Sequence, residues 1–168
     1  MGNKGRRRGN ATIEMTLVGI PIIFALISIF EVSRGMWAYQ TMAYALKQGT
    51  RYASVHGASC AATPNACTVT VANIATVIQN AAVGLDPNGL QIRMQSLNAD
   101  TGMVTLTSLL GNSTVFPSGA GANAQSPITF TAQYPFKSAI AMFWPGAGRG
   151  QIFPIVTFPA SAQEAIQF

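Results

Sequence analysis

The sequence predicts an α+β protein: a very long N-terminal helix whose first half spans a membrane, followed by one short helix and a small antiparallel β-sheet. Three observations carry this. Residues 10–30 contain a single charged side chain, Glu14. A stripe of apolar residues at helical spacing continues well past them. Further on, apolar and polar residues alternate in short runs between turn signals.

The apolar segment 10–30 has twenty-one residues, about 31 Å as a helix, which matches a hydrocarbon core of roughly 30 Å. Lys4, Arg6, Arg7 and Arg8 precede it, and a basic flank of this kind keeps an N-terminus in the cytoplasm. Those four residues supply most of the net charge of +5. After residue 9, six cations face five acids, so the body of the protein has no basic face for nucleic acid. A cleaved secretory signal has a shorter apolar region with its small-residue site close behind. Here Ala43-Tyr44-Ala45 lies too far beyond Phe30, so the segment stays as a membrane helix contacting lipid. Pro21 within it predicts a kink or a loosened turn.

Helical patterning does not stop at the membrane. Val32, Met36, Tyr39, Ala43, Leu46, Thr50 and Ala53 recur at spacings of four and three, the stripe of a helix that packs on other helices. Glu31, Arg34, Gln40, Lys47, Gln48 and Arg51 occupy the other face. No proline interrupts residues 22–63, so a single helix is expected over about 12–56, with residues 31–56 as its amphipathic half. Gly35 and Gly49 weaken such a helix. They stand either for local flexibility or for the close approach of a neighbouring helix.

Residues 57–168 should form an external α+β domain. Val71, Ile74, Ile78 and Ala82 share a face and Gly84 follows, which gives a short helix over 69–83. Asp86-Pro87-Asn88-Gly89 is a turn. Leu90, Ile92 and Met94 alternate with polar neighbours as a half-buried strand, and residues 98–102 turn the chain into a second strand over 103–109. Residues 111–127, rich in Gly, Ala, Ser and Asn, read as a long loop. Ile128, Phe130, Ala132 and Tyr134 mark a third strand. A fourth is expected near 152–158, at a sheet edge because of Pro154.

Little in this region resembles catalytic chemistry. The one histidine, His56, falls at the end of the long helix, where a cation suits the dipole. Asp86, Asp100 and Glu164 are scattered and form no acid–base pair. Glycines 146, 148 and 150 precede no Gly-Lys-Ser/Thr, so they build no phosphate loop. No enzymatic activity, metal or cofactor is expected. Cys60 and Cys67 flank a Pro-Asn turn that would bring their thiols together. Outside the cytoplasm such a pair persists as a disulfide, the expected state, the alternative being two unpaired core residues. From Gly57 onward only six of 112 residues are charged. That fits a surface covered by partner subunits, or equally a neutral polar surface of Thr, Asn, Gln and Ser.

Arg6-Arg7-Arg8-Gly9, followed five residues later by Glu14, resembles the class III signal of the type IV pilin superfamily. The run through Pro21, Glu31-Val32-Ser33-Arg34-Gly35, Tyr39-Gln40 and Ala45-Leu46-Lys47-Gln48-Gly49-Thr50-Arg51-Tyr52-Ala53-Ser54 more closely resembles the TadE-like family, minor pilins or pseudopilins of tight-adherence (Flp, type IVb-like) pilus systems. The resemblance covers residues 6–56. It implies a pilin-like fold and a leader, residues 1–9, removed between Gly9 and Asn10 by a prepilin peptidase. It also implies a bacterial inner-membrane location with the C-terminal domain outside, an assembly platform in that membrane, and other pilin or pseudopilin subunits as partners. Val32, Met36, Tyr39, Ala43 and Leu46 would pack against those subunits.

A physical role for Glu14 follows without the resemblance. A carboxylate in hydrocarbon costs roughly 2.5–3.5 kcal/mol on insertion scales. Cleavage after Gly9 would expose an α-amine on Asn10, and a neighbouring helix shifted along the axis would set its Glu14 against that amine. The competing role is a carboxylate favouring its own helix N-terminus, worth about 0.3–1 kcal/mol. Two rival functions stand beside the pilin reading: an uncleaved, membrane-anchored envelope binding protein, and an anchored enzyme with an unrecognised site.

Overall fold

A computed structural model describes residues 6–56, 69–118, 124–138 and 156–167, with side chains from Ala11 onward. Helix α1 spans Arg6–Val55. Helix α2 spans Val71–Ala81, strand β1 Gln91–Ser96, and the two-residue strands β2 and β3 Ala99–Asp100 and Val104–Thr105. Helix α3 covers Leu106–Leu110, and strands β4 and β5 cover Pro127–Phe136 and Val156–Ala165. The fold is α+β, as predicted. The described residues fall into two compact units: α1 up to Met36, with Ser138, and everything from Trp37 to Lys137 with β5.

In the first unit, α1 begins six residues earlier than the sequence pattern suggested. Three arginines, good helix formers, offset the cost of one glycine. Pro21 lies inside the helix without ending it. From Ile13 to Phe30 every large apolar side chain is exposed.

The second unit is built on one hydrophobic cluster shared by α1, α2, α3 and the sheet. Thr70 caps α2, its hydroxyl accepting from Asn73 N at 3.3 Å. The first two backbone N–H groups of α2, on Val71 and Ala72, donate to Thr114 O and Asn112 O at 2.9 Å. Donors that a helix start leaves unpaired are thus satisfied by the following loop. Gly84, at φ +80°, turns the chain just past the helix, as its position predicted.

The sheet is antiparallel in the order β2-β1-β4-β5, with β3 also on β1. Met94 lies opposite Phe130 and Ile92 opposite Ala132. All four are fully buried, on one face. β5 forms the edge and carries Pro159, whose missing N–H an edge tolerates. Pro135 of β4 pairs only with β5, beyond the last β1 partner at Gln133.

Two sequence expectations need correction. The strand over 103–109 is instead the short β3 followed by α3. Thr105 caps this helix, accepting from Ser108 N, and Leu106 and Leu109 are both buried at a helical spacing of three. The fourth strand runs from Val156 to Ala165 rather than near 152–158. Of its inward residues, Phe158, Ala160, Ala162 and Glu164, only Phe158 is large and apolar, which gives a weak alternation signal. Pro154 lies outside the described residues.

The end of α1 is tied to the C-terminal segment and closed by its own last residues. Gln167 N donates to Ser54 O at 3.0 Å, tying the last described residue of the chain to the helix. His56 stacks on Tyr52 with ring centroids 4.4 Å apart, and its Nδ1 lies 2.9 Å from Tyr52 O. The imidazole therefore donates to a carbonyl in the last turn, where helices leave acceptors unpaired.

Candidate functional site

The candidate site is helix α1. Gly9 and Asn10 lie on its helical backbone. Glu14 follows one turn later and is exposed, between the exposed apolar side chains of Ile13 and Met15. Three hydroxyls along and just past the apolar stretch are satisfied within the helix. Thr16 donates to Ile13 O at 2.9 Å, Ser28 to Phe24 O at 2.8 Å and Ser33 to Ile29 O at 2.8 Å. Hydroxyls paired in this way enter hydrocarbon at little cost, because every polar group there needs an internal partner.

The helix is long and apolar enough to cross a membrane, and none of its most apolar 18-residue window is buried. A helix of that composition with no protein over it fits a membrane anchor. At the end of the stretch, Glu31 is only 8% exposed and pairs with Arg34 at 3.3 Å. Glu31 had been expected on the polar face. Its ion pair one turn away supplies part of what a buried carboxylate needs.

The stripe predicted for helix packing divides. Val32, Met36 and Tyr39 are exposed, Ala43 is partly buried, and Leu46 is buried in the core of its own chain. The second unit buries Leu46, Thr50 and Ala53 of that stripe and, one residue to its side, Ala38, Met42, Ala45 and Gly49. Those last four fall outside the predicted stripe because three of them are small and score weakly as apolar. The signal that could have found them is their own spacing of four and three.

Gly49 explains the fit. A β-carbon there would lie 2.7 Å from Ile78 Cδ1, so the Ile78 side chain of α2 fills the space that a side chain at this position of α1 would need. Of the two readings left open for this glycine, close helix approach holds, and the helix concerned belongs to the same chain. Trp37, which the sequence did not single out, covers Gly84 in the same way, with Cζ3 3.1 Å from the position of a β-carbon. Cys60 and Cys67 lie outside the described residues. Among the described residues, no three His, Cys, Asp or Glu side chains group as metal ligands.

Residues 9–51 match the family model described as TadE-like protein. No curated protein and no solved structure matches the chain. The match covers about a quarter of the sequence and falls on α1, from the glycine of the basic-Gly signal through Glu14, the Glu31–Arg34 pair and Gly49. The resemblance drawn from the residues is therefore to the family that the match reports. It associates the protein with tight-adherence pilus systems.

Proposed function

We propose that this protein is a minor pilin or pseudopilin, a structural subunit and not an enzyme, that supports assembly of a tight-adherence pilus. The observation that carries the reading is the coincidence of the family match with an apolar helix that its own chain leaves uncovered. A helix of this kind requires lipid or other helices around it. In this reading a prepilin peptidase cuts between Gly9 and Asn10, removing the cationic leader. The new α-amine of Asn10 is then met by Glu14 of a neighbouring subunit, offsetting part of the cost of burying that carboxylate and fixing the stagger between helices.

Before assembly the subunit resides in the bacterial inner membrane, N-terminus inside, held by an assembly platform. Val32, Met36 and Tyr39, exposed in the single chain, are the stripe members available to partner helices. Outside the cytoplasm Cys60 and Cys67 close a short loop as a disulfide, which a mass increase of the alkylated protein only after reduction would reveal.

Two substitutions in the native host test the reading. Gly9→Ala blocks processing, so the leader stays on. Glu14→Ala permits processing but impairs piliation. Wild-type piliation in both variants would refute the proposal and favour an uncleaved envelope protein.

A further inference from the structure

We propose that β5 is a dimerisation edge: the β5 strands of two copies of this chain pair antiparallel about Ser161 and join two sheets into one. The inference concerns the second unit alone. It goes beyond the pilin reading and does not depend on removal of the leader.

β5 is the last strand of the sheet, and among the described residues no strand pairs with its far side. One residue fixes the direction of its backbone groups. Ile166 N donates to Ser126 O at 3.0 Å, and Ile166 O accepts from Gln125 N at 2.8 Å, so the backbone of Ile166 faces β4. The register of β4 on β5 runs unbroken from Ala165 to Val156, and backbone groups alternate sides along such a ladder. Ala160, Ala162 and Glu164 therefore also face β4, while Thr157, Pro159, Ser161, Gln163 and Ala165 present their N–H and C=O groups to the far side. Two observations agree with this. Gln167, next in the outward series, donates to Ser54 O and not to β4. Pro159, which has no N–H, falls in the outward series, where the sheet loses no bond. All five outward residues are exposed.

The opposite edge is closed. β2 and β3 pair with the far side of β1. Between them Thr101 N donates to Met94 O at 3.1 Å and Met94 N to Thr101 Oγ1 at 3.0 Å. Copies therefore cannot add edge to opposite edge in a growing sheet. Only the same edge can meet itself, in a symmetric pair that closes at two.

The chemistry of the edge fits a second copy. Long edges are usually guarded by charges or bulges, yet none of the five outward residues is charged and Pro159 is the single guard. With the two-fold axis at Ser161, Thr157 meets Ala165 of the second copy and Pro159 meets Gln163, so only the proline donor is forfeited in each copy. On the inner face Phe158 meets Glu164 and Ala160 meets Ala162, which sets no like charges opposite one another. The pairing ends at Ala165, before Gln167, whose N–H is already engaged. From Gly57 onward three acids balance three cations, so two copies of the domain do not repel. A ready-made strand of ten residues also avoids the ordering cost that a flexible peptide would carry.

The test uses the full chain in dodecyl maltoside micelles. Ser161→Cys places two thiols at the axis, with α-carbons about 5.5 Å apart, within the range a disulfide spans. Mild oxidation should give covalent dimer about tenfold or more above wild type, which reports the background from Cys60 and Cys67. Thr157→Cys alone should stay at background, and should cross-link when co-expressed with Ala165→Cys. Ser161→Lys, which sets two ammonium groups together, should raise the dimer dissociation constant in sedimentation about tenfold without lowering the unfolding midpoint. A non-covalent dimer whose Ser161→Cys variant stays at background would assign association to α1 and overturn the β5 edge. Self-cross-linking of Thr157→Cys would overturn the register and the proposal with it. A monomer in sedimentation, or a Ser161→Cys cross-link in native-host membranes only to a different protein, would overturn the second copy as the occupant.

Discussion

The α-carbon of Gly49 lies against the side chain of Ile78, with Phe130 Cε2 3.6 Å from the place a β-carbon would take. Three elements, α1, α2 and β4, therefore meet at a residue that has no side chain. In an isolated helix, Gly→Ala would gain up to about 1 kcal/mol. Here the added methyl must displace a buried isoleucine in a close-packed core, at a cost of about 1–3 kcal/mol. Gly49→Ala should lower the unfolding midpoint of the detergent-solubilised protein, and Ile78→Val should recover part of the loss. A rise in midpoint for Gly49→Ala alone would contradict this packing.

Gly84 combines two constraints that a mutant cycle can separate. Its φ of +80° costs an ordinary L-residue about 1–2 kcal/mol, and Asn less. Trp37 lies where a β-carbon would go. With Trp37 present, Gly84→Ala and Gly84→Asn should both destabilise the protein. In a Trp37→Ala background the asparagine variant should be the milder of the two, because only the backbone term remains. Equal losses in both backgrounds, measured by chemical denaturation, would show that Trp37 does not confine this turn.

Asp100 introduces an acid-dependent term. Arg93 Nε donates to its carboxylate at 3.0 Å and Gly102 N at 2.9 Å. The hydrogen bond from Arg93, then that from the Gly102 backbone, holds the Asp100 carboxyl well below the usual carboxylate range. A depressed folded-state pKa contributes stability that is complete above the unfolded value and is lost as pH falls toward the folded one. Wild type should therefore be more stable than Asp100→Asn near neutral pH. The gap should close between about pH 4 and pH 2. The pair is solvent-exposed, so the gap is small. A gap that stays constant with pH would contradict the assignment.

How much of this was legible in the sequence depends on how loudly each element speaks. The long helix, the 69–83 helix, the first strand and the third were all readable, because Ile, Val, Leu and Phe mark their buried faces. α3 was misread as strand because Leu106 and Leu109 sit among hydroxyl residues that suit either state, and the cap at Thr105 decided it. The fourth strand was misplaced because alanines hide its period. On α1 the predicted stripe reaches the buried face at Leu46, Thr50 and Ala53, while Ala38, Ala45 and Gly49 beside it are buried too. Small residues permit close approach, and hydrophobicity alone does not register that. The basic-Gly signal and Glu14 were legible as motif residues, and the family that the helix resembles is the one whose model matches residues 9–51.

The central claim is that Gly9 marks the end of a leader and that Glu14 acts on the amine its removal exposes. Intact-mass analysis with N-terminal sequencing of the protein from its native host tests the first half of that directly. The account predicts a mature chain beginning at Asn10. A functional protein that still begins at Met1 and carries Arg6, Arg7 and Arg8 would contradict it.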